Sequence, residues 1–310
     1  MTRLLILLAL LASPGPAPRA QDVPRPPAAQ VRIDFVAEGR GGAPVLDLKP
    51  ADLEVWIGHF RVPIETFTLV TAQADEREGR LIVLLLDDVT LPPEMAPRAR
   101  EAARRFVTRM LPGDRMAIVT LSGATSAEST DSSARLLRTL DSYNVRASGV
   151  MRTDVLSEQV LDTVATLSRQ MAEAPGRRKT IVAIGPSAVF DRPLPPPGVG
   201  RDLVPQWVGA MRAMAFAHAN FYVIDPGGVG ATRVGTGEDG FARASGGRAF
   251  LSTNDVNGAV DRILRDASAY YVVSVPSPPT GGRDTLRELE IRVLRRGVRV
   301  LAPRAIPGGS

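Results

Sequence analysis

Two adjacent carboxylates, Asp87 and Asp88, end an unbroken apolar run in "LIVLLLDDVTLPPEM", residues 81–95. In α/β proteins ligands bind where the carboxyl end of a strand gives way to a helix. A pair of acids at such a point can hold a hard divalent cation such as Mg²⁺ through oxygen ligands. The same pair can cap the segment that follows, through its backbone N–H groups, or pair with an arginine.

Other chemistries find less support. The order Ser187, His218, Asp225 is compatible with a hydrolase triad, because triad order differs between folds. A nucleophile elbow, however, places glycine where Val189 stands in "IGPSAVF". "GTGEDG", Gly235–Gly240, matches a dinucleotide fingerprint, but the nearest strand ends at Asp225, and the motif needs a strand directly before it. With His59 and His218 as the only histidines and no cysteine, a zinc site has too few ligands. No pair of acids is marked out as a glycosidase site. The sequence therefore predicts no catalytic residue.

The elements that must position these residues follow from the patterning. "VRIDFVAEG" alternates apolar and polar residues as a half-buried strand does, and Leu53–Ile57 and Val62–Val70 read as further strands. From Leu81 the pattern changes to apolar runs, "LIVLLL", "RMAIVT", "TIVAI" and "FYVI", as in parallel strands buried on both faces. Helical spacing separates them over Glu94–Leu111, 132–142, 153–174 and 202–219, with Asn254 or Asp255 placed to cap a helix ending near Ala269. Strands return in "YYVVSVP", "LRELEIRVL" and "VRVLAP". The fold class predicted is α/β, a Rossmann-like, doubly wound and mostly parallel sheet, flanked by N- and C-terminal β-strand segments. The organisation expected is a signal peptide over 1–20, a Pro-rich leader over 21–30, a β module over 31–70 and a linker over 71–80. An α/β domain over 81–269, a β segment over 270–304 and a tail over 305–310 complete it. The two terminal β regions are expected to form one sandwich-like unit, with the α/β domain inserted between them.

Composition narrows the setting. "MTRLLILLALLASPGPAPRAQD" has an early Arg, a short apolar core and a small-residue exit, the pattern of a secretory signal peptide. Its apolar run, Leu4–Ala12, is too short for a bilayer span of about 20 residues, so no stable transmembrane anchor is expected. The expected location is secreted or periplasmic, after cleavage of that peptide. Of 38 basic residues only Lys49 and Lys179 are lysines, and they are interspersed with 33 acidic ones without a dense basic tract. Charge so distributed gives no footprint for nucleic acid.

The segments "LIVLLLDDVTLPPEM", "GDRMAIVTLSG", "RKTIVAIG", "NFYVIDPGG" and "SGGRAFLSTNDVNGAVDRILRDASAYYVVSVP" follow in an order that resembles the von Willebrand factor type A-related proteins of Acidobacteria. "APVLDLKPADLEVWIGHFRVPIETFTLV" resembles that family's leading segment, and the closing "LRELEIRVLRRGVRVLAPR" its tail. The resemblance implies a metal-ion-dependent adhesion site built from a D-x-S-x-S loop, a Thr and a third-loop Asp. On this sequence it implies Asp87, Asp88, Thr90 and Thr153 as an incomplete ligand set. Val89, Leu91 or Pro92 replaces hydroxyl positions, and Pro186 stands where the third-loop acid belongs.

The function expected is an exported, non-catalytic protein-interaction or adhesion-type protein. It would bind a protein partner through loops at the carboxyl-end rim of the sheet, after Asp88, Ser122, Arg152, Gly185 and Asp225. The Pro193–Gly200 loop would overhang that rim as a stiff recognition element. No cofactor is expected, with Mg²⁺ or another divalent cation the one the site could hold. The alternatives are a hydrolase using Ser187 or a metal on Asp87 and Asp88, and a structural subunit of an envelope complex.

Overall fold

A computed structural model describes residues 30–71, 79–145, 153–174, 178–186, 190, 203–228, 240–251, 253–277 and 286–307. Its centre is a six-stranded sheet. The chain enters it through β5 (Leu81–Leu86), every residue of which is buried. Strands β6 (Arg115–Thr120) and β8 (Lys179–Ile184) pair parallel on either side of β5. Beyond β8 lie β9 (Ala219–Ile224) and β10 (Arg248–Phe250), also parallel, while β7 (Ser126–Thr130) closes the far edge antiparallel to β6. The order β10-β9-β8-β5-β6-β7 reverses direction between β5 and β8. That reversal is the switch point of a doubly wound sheet.

The apolar run of β5 is continuous because both faces are covered. Leu81, Val83 and Leu85 face one layer, with α3 (Thr153–Ala172), α4 (Val204–Ala217) and the short α5 (Phe241–Ala244). Ile82, Leu84 and Leu86 face the other, with α1 (Ala96–Thr108), α2 (Ser133–Ser142) and α6 (Val256–Ser268). A strand alternates its side chains by two, so one sheet needs helices on both sides to bury such a run. Helix ends follow their capping residues. The Ser132 hydroxyl accepts from Arg135 N–H ahead of α2, and the Asp255 carboxylate accepts from Gly258 N–H at 2.7 Å ahead of α6.

The first and last described segments meet in a second core. Strand β1 (Gln30–Glu38) pairs with β11 (Ala269–Pro276), and β2 (Leu53–Ile57) with β12 (Leu286–Val293), all antiparallel. Short strands β3 (Phe60–Val62), β4 (Thr66–Thr71), β13 (Arg299–Leu301) and β14 (Ala305–Pro307) complete two four-stranded sheets. Phe35 stacks on Tyr271 at 5.3 Å between centroids, and the Tyr271 hydroxyl accepts from Leu48 N–H at 3.0 Å. Neither end could enclose this core alone, since an isolated hairpin leaves one apolar face in water.

Two sequence expectations are corrected at the level of elements, and one strand, β7, went unread. The strand expected over Val62–Val70 is two strands in different sheets, separated at Pro63, whose ring cannot donate to a ladder. β7 has a polar sequence, Ser-Ala-Glu-Ser-Thr, because it is an edge strand, and its pattern gave no signal of a strand. The expected tail begins with β14, which pairs with β12.

Candidate functional site

The switch point brings the ends of β5, β6, β8 and β9 to one rim. Asp87 follows β5 directly, and its N–H donates to Ile184 O at the end of β8, 3.1 Å away. The Asp87 carboxylate turns back on its own loop. It accepts from Val89 N–H and Thr90 N–H, both at 2.8 Å, and from the Thr90 hydroxyl. The Asp87 carbonyl oxygen accepts from the Tyr143 hydroxyl at 2.5 Å. Asp88 instead reaches across to the loop after β6, where its carboxylate accepts from Ser122 N–H at 2.9 Å and from the Ser122 hydroxyl.

Both acids are enclosed, with Asp87 0% and Asp88 2% exposed. Space for Asp87 comes from a neighbouring glycine: a Cβ on Gly185 would lie 2.7 Å from Asp87 Cβ and 2.4 Å from Phe190 Cε2. The turn that presents Ser122 uses Gly123 at φ 74°, a left-handed conformation that glycine adopts without a Cβ penalty. Behind it, the Gln159 side-chain amide of α3 donates to Leu121 O at 2.9 Å. Burial raises the Tyr143 hydroxyl pKa well above its ordinary value, and the Asp87 and Asp88 charges raise it further. The hydroxyl therefore stays protonated and keeps donating.

Asp87 and Thr90 are thus in contact, whereas the neighbouring Asp88 turns to Ser122. Asp87 caps its loop as one of the two simple readings required, whereas neither acid has an ion-pair partner among the described residues. Val89 and Leu91 pack inward against opposite core layers and offer no ligand atoms. Thr153 opens α3, its side chain lying outside the described residues, as do Ser187, Arg152 and the Pro193–Gly200 loop. Pro186 follows Gly185 at the end of β8 and brings no acid to the rim. Among the described residues, no group of three His, Cys, Asp or Glu side chains is placed to share a cation. Two participants escaped the sequence reading. Ser122 figured there only as a loop position, and Tyr143 not at all. The one signal for Tyr143 is a lone aromatic directly after an amphipathic helix.

The hydrolase order Ser187, His218, Asp225 is corrected by the topology. His218 caps the end of α4 immediately before β9, at φ 53°, and Asp225 immediately follows β9. The strand between them sets the two residues about 20 Å apart at opposite ends of β9. Burial lowers the His218 pKa; the nearby Lys179 and Arg178 stand at the start of β8, the end away from Asp87, and the nearby Asp34 and Arg32 on β1. The Asp225 carboxylate accepts from Gly227 N–H at 2.9 Å.

No protein-family model matches the chain, and no curated protein matches it. Solved structures with a similar layout include BatB from Bacteroides thetaiotaomicron, 14% identical over 61% of this chain and 99% of that one, with a TM-score of 0.41. An aerotolerance-related membrane protein from Bacteroides fragilis is 12% identical over 61% of this chain and 98% of its own, with a TM-score of 0.40. The manganese-loaded TRAP protein of Plasmodium vivax is 10% identical over 76% and 96%, with a TM-score of 0.37. What the chain's own topology defines is an open, doubly wound α/β sheet joined to a β-sandwich. No helix among the described residues is long and apolar enough to cross a membrane.

Proposed function

We propose that this is an exported, non-catalytic interaction protein of the von Willebrand factor type A kind, which binds a protein partner through the loops around Asp87–Thr90, Ser122 and Gly185. The observation that carries the reading is the place of those loops. They surround the switch point between β5 and β8, the position where open α/β sheets take ligands. They are also held from beneath by Tyr143, Ile184 and Gln159, which fixes their backbone before a partner arrives.

The metal site is vestigial in this reading. All four carboxylate oxygens of Asp87 and Asp88 already accept from local donors, and the third-loop acid is Pro186. Mg²⁺ demands near-octahedral oxygen and gives up its water reluctantly, so this donor set fits it poorly. One observation favours a second reading, a divalent cation resting on Asp88 that would direct binding toward acidic groups. Two buried carboxylates stand side by side without a cationic partner among the described residues, and uncompensated buried charge is costly.

Photo-crosslinking tests the interaction reading. A photoreactive amino acid at Ser122, which is exposed on the rim, should capture a discrete protein in the producing cell. The same probe at Arg169, on the exposed side of α3, should not. Equal products from both positions, or none from Ser122, would overturn it. Calorimetric titration with Mg²⁺ and Mn²⁺, repeated on Asp88→Ala, separates the two readings of the acids. Saturable heat that the substitution abolishes would establish the cation, and no heat the vestige.

A further inference from the structure

We propose that the buried junction where β1 meets the lower end of the parallel sheet, opposite the rim, is a binding site for a small monovalent anion of the halide class, centred on the Arg178 guanidinium and the Tyr222 hydroxyl. Strand β1 turns Arg32, Asp34 and Glu38 toward that end of the sheet, because Ile33, Phe35 and Ala37 take the alternate positions in the sandwich core. Arg178 stands at the start of β8, Arg248 on β10, and Arg262 and Asp266 on α6. Arg32 grips the Asp34 carboxylate at 2.8 and 3.2 Å. Glu38 pairs with Arg248 at 2.7 Å and with Arg262, while Asp266 lies 3.4 Å from Arg262 and 3.9 Å from Arg248. Arg178 reaches Asp34 only at 3.5 Å, and its guanidinium carbon lies 4.3 Å from the centroid of the Tyr270 ring.

Two observations select an anion. The first is charge. Among the described residues of the junction, four arginines meet three carboxylates, which leaves one positive charge without a counter-charge. That charge is Arg178, since each carboxylate is held more closely by another arginine. Lys179 alternates to the opposite face of β8 and brings no negative charge. Arg178 is 2% exposed, and an uncompensated buried charge is costly.

The second observation is hydrogen bonding. Among the described residues, none of the three Arg178 side-chain nitrogens has a hydrogen-bond partner, and neither have the Tyr222 and Thr180 hydroxyls or Arg248 Nε, all of them buried. Thr180 shares the face of β8 with Arg178, and Tyr222 stands beside Arg248 where β9 pairs with β10. Burial raises the Tyr222 pKa and the Asp266 charge raises it further, so the hydroxyl stays a donor, and Arg178 is close enough to act on it. The unbonded acceptors there, Asn220 Oδ1 and Asp266 Oδ2, are fewer than the donors. A surplus of buried donors around an unpaired cation is the complement of an anion. One missing charge sets its valence. Dehydration points the same way, because its cost rises with the square of the ion's charge and disfavours sulfate and phosphate in a closed site.

The test uses the whole chain, dialysed into gluconate, a bulky organic anion, and follows the melting temperature as chloride or bromide replaces gluconate at constant ionic strength. Either halide should raise it saturably, since a ligand of the folded state alone stabilises that state, and sulfate should not. Tyr222→Phe keeps the ring and removes one donor, and should weaken the apparent chloride affinity by roughly tenfold. Arg178→Leu should abolish the halide effect. Circular dichroism checks that this variant folds, and Tyr222→Phe carries the test if it does not. Arg104→Leu, which breaks an exposed pair with Asp141, should respond as the parent does. In crystals soaked in bromide, an anomalous peak should lie among Arg178, Tyr222 and Arg248. No halide-specific rise in the parent is the result expected of ordered water alone, and it would overturn the proposal. So would an equal rise with sulfate, an equal rise in folded Arg178→Leu, full affinity in Tyr222→Phe, or a bromide peak only elsewhere.

Discussion

The Tyr143 hydroxyl lies 2.5 Å from the backbone carbonyl oxygen of Asp87, and this one bond ties the end of α2 to the loop that leaves β5. Both groups are buried, so water cannot replace the donor if it is lost. Tyr143→Phe keeps the ring and removes only the hydroxyl. An unsatisfied buried carbonyl costs about 1–3 kcal/mol, and urea unfolding of the variant should show a loss in that range. Because burial and two neighbouring acids hold the hydroxyl protonated, the loss should be the same at pH 6 and pH 9. Equal stability of variant and parent would mean that the loop is held by its other bonds alone.

Asp88 gives a prediction that separates its structural part from cation binding. Its carboxylate holds Ser122 by both the N–H and the hydroxyl. Asp88→Ala should cost about 1 kcal/mol, because Ser122 is exposed and water recovers part of the loss. If the site is vestigial, chelator should leave the melting temperature of parent and variant equally unchanged. A chelator-sensitive parent beside an insensitive variant would contradict the vestigial reading.

The sheet was legible in the sequence and the rim largely was not, for physical reasons. A doubly covered strand such as Leu81–Leu86 must be apolar throughout, and it therefore announces itself. The edge strand β7 has no such requirement, and its Ser, Glu and Thr residues read as loop. Asp87 and Asp88 stood out as charges ending an apolar run, and the placement of that run implied a rim. Their partners could not be read in the same way. Ser122 lies 34 residues from Asp88 and Tyr143 lies 56 from Asp87, so each meeting is decided by tertiary packing. His218 and Asp225 illustrate the reverse case. Their order along the chain is one a triad can have, but a strand separates them, and order alone does not bring side chains together.

Asp266 carries a pH prediction. It lies on α6 with its carboxylate 3.4 Å from Arg262 and 3.9 Å from Arg248, facing Glu38 of β1 and Arg178 ahead of β8. Burial raises its pKa from the ordinary 3.8 to about 6, against the pull of Arg248 and Arg262. Between those two values the folded protein binds more protons at this site than the unfolded chain does. By linkage, its contribution to stability then falls as pH rises through that window. Asp266→Asn removes the titration. Relative to the parent, the variant should gain stability as pH is taken from 4 to 7, in chemical unfolding at several pH values. A difference that stays flat over that range would show that Asp266 titrates normally.

The ion pair of Arg80 and Asp114 is enclosed, with side chains 4% and 2% exposed. Arg80 stands just before β5 and Asp114 just before β6. The Asp114 carboxylate also accepts from Arg80 N–H and Leu111 N–H, each at 2.8 Å. The Arg80 guanidinium extends the network to the Ser268 hydroxyl at 2.9 Å, at the end of α6. Removing one partner of a buried pair leaves the other charge without compensation, so Arg80→Leu should destabilise by about 3–5 kcal/mol. Adding Asp114→Leu removes the stranded charge but orphans two backbone N–H groups. The double variant should therefore recover only part of the loss in a double-mutant cycle. Full recovery would mean that the carboxylate serves the guanidinium alone. No recovery would mean that its bonds to the two N–H groups outweigh the cost of leaving it unpaired.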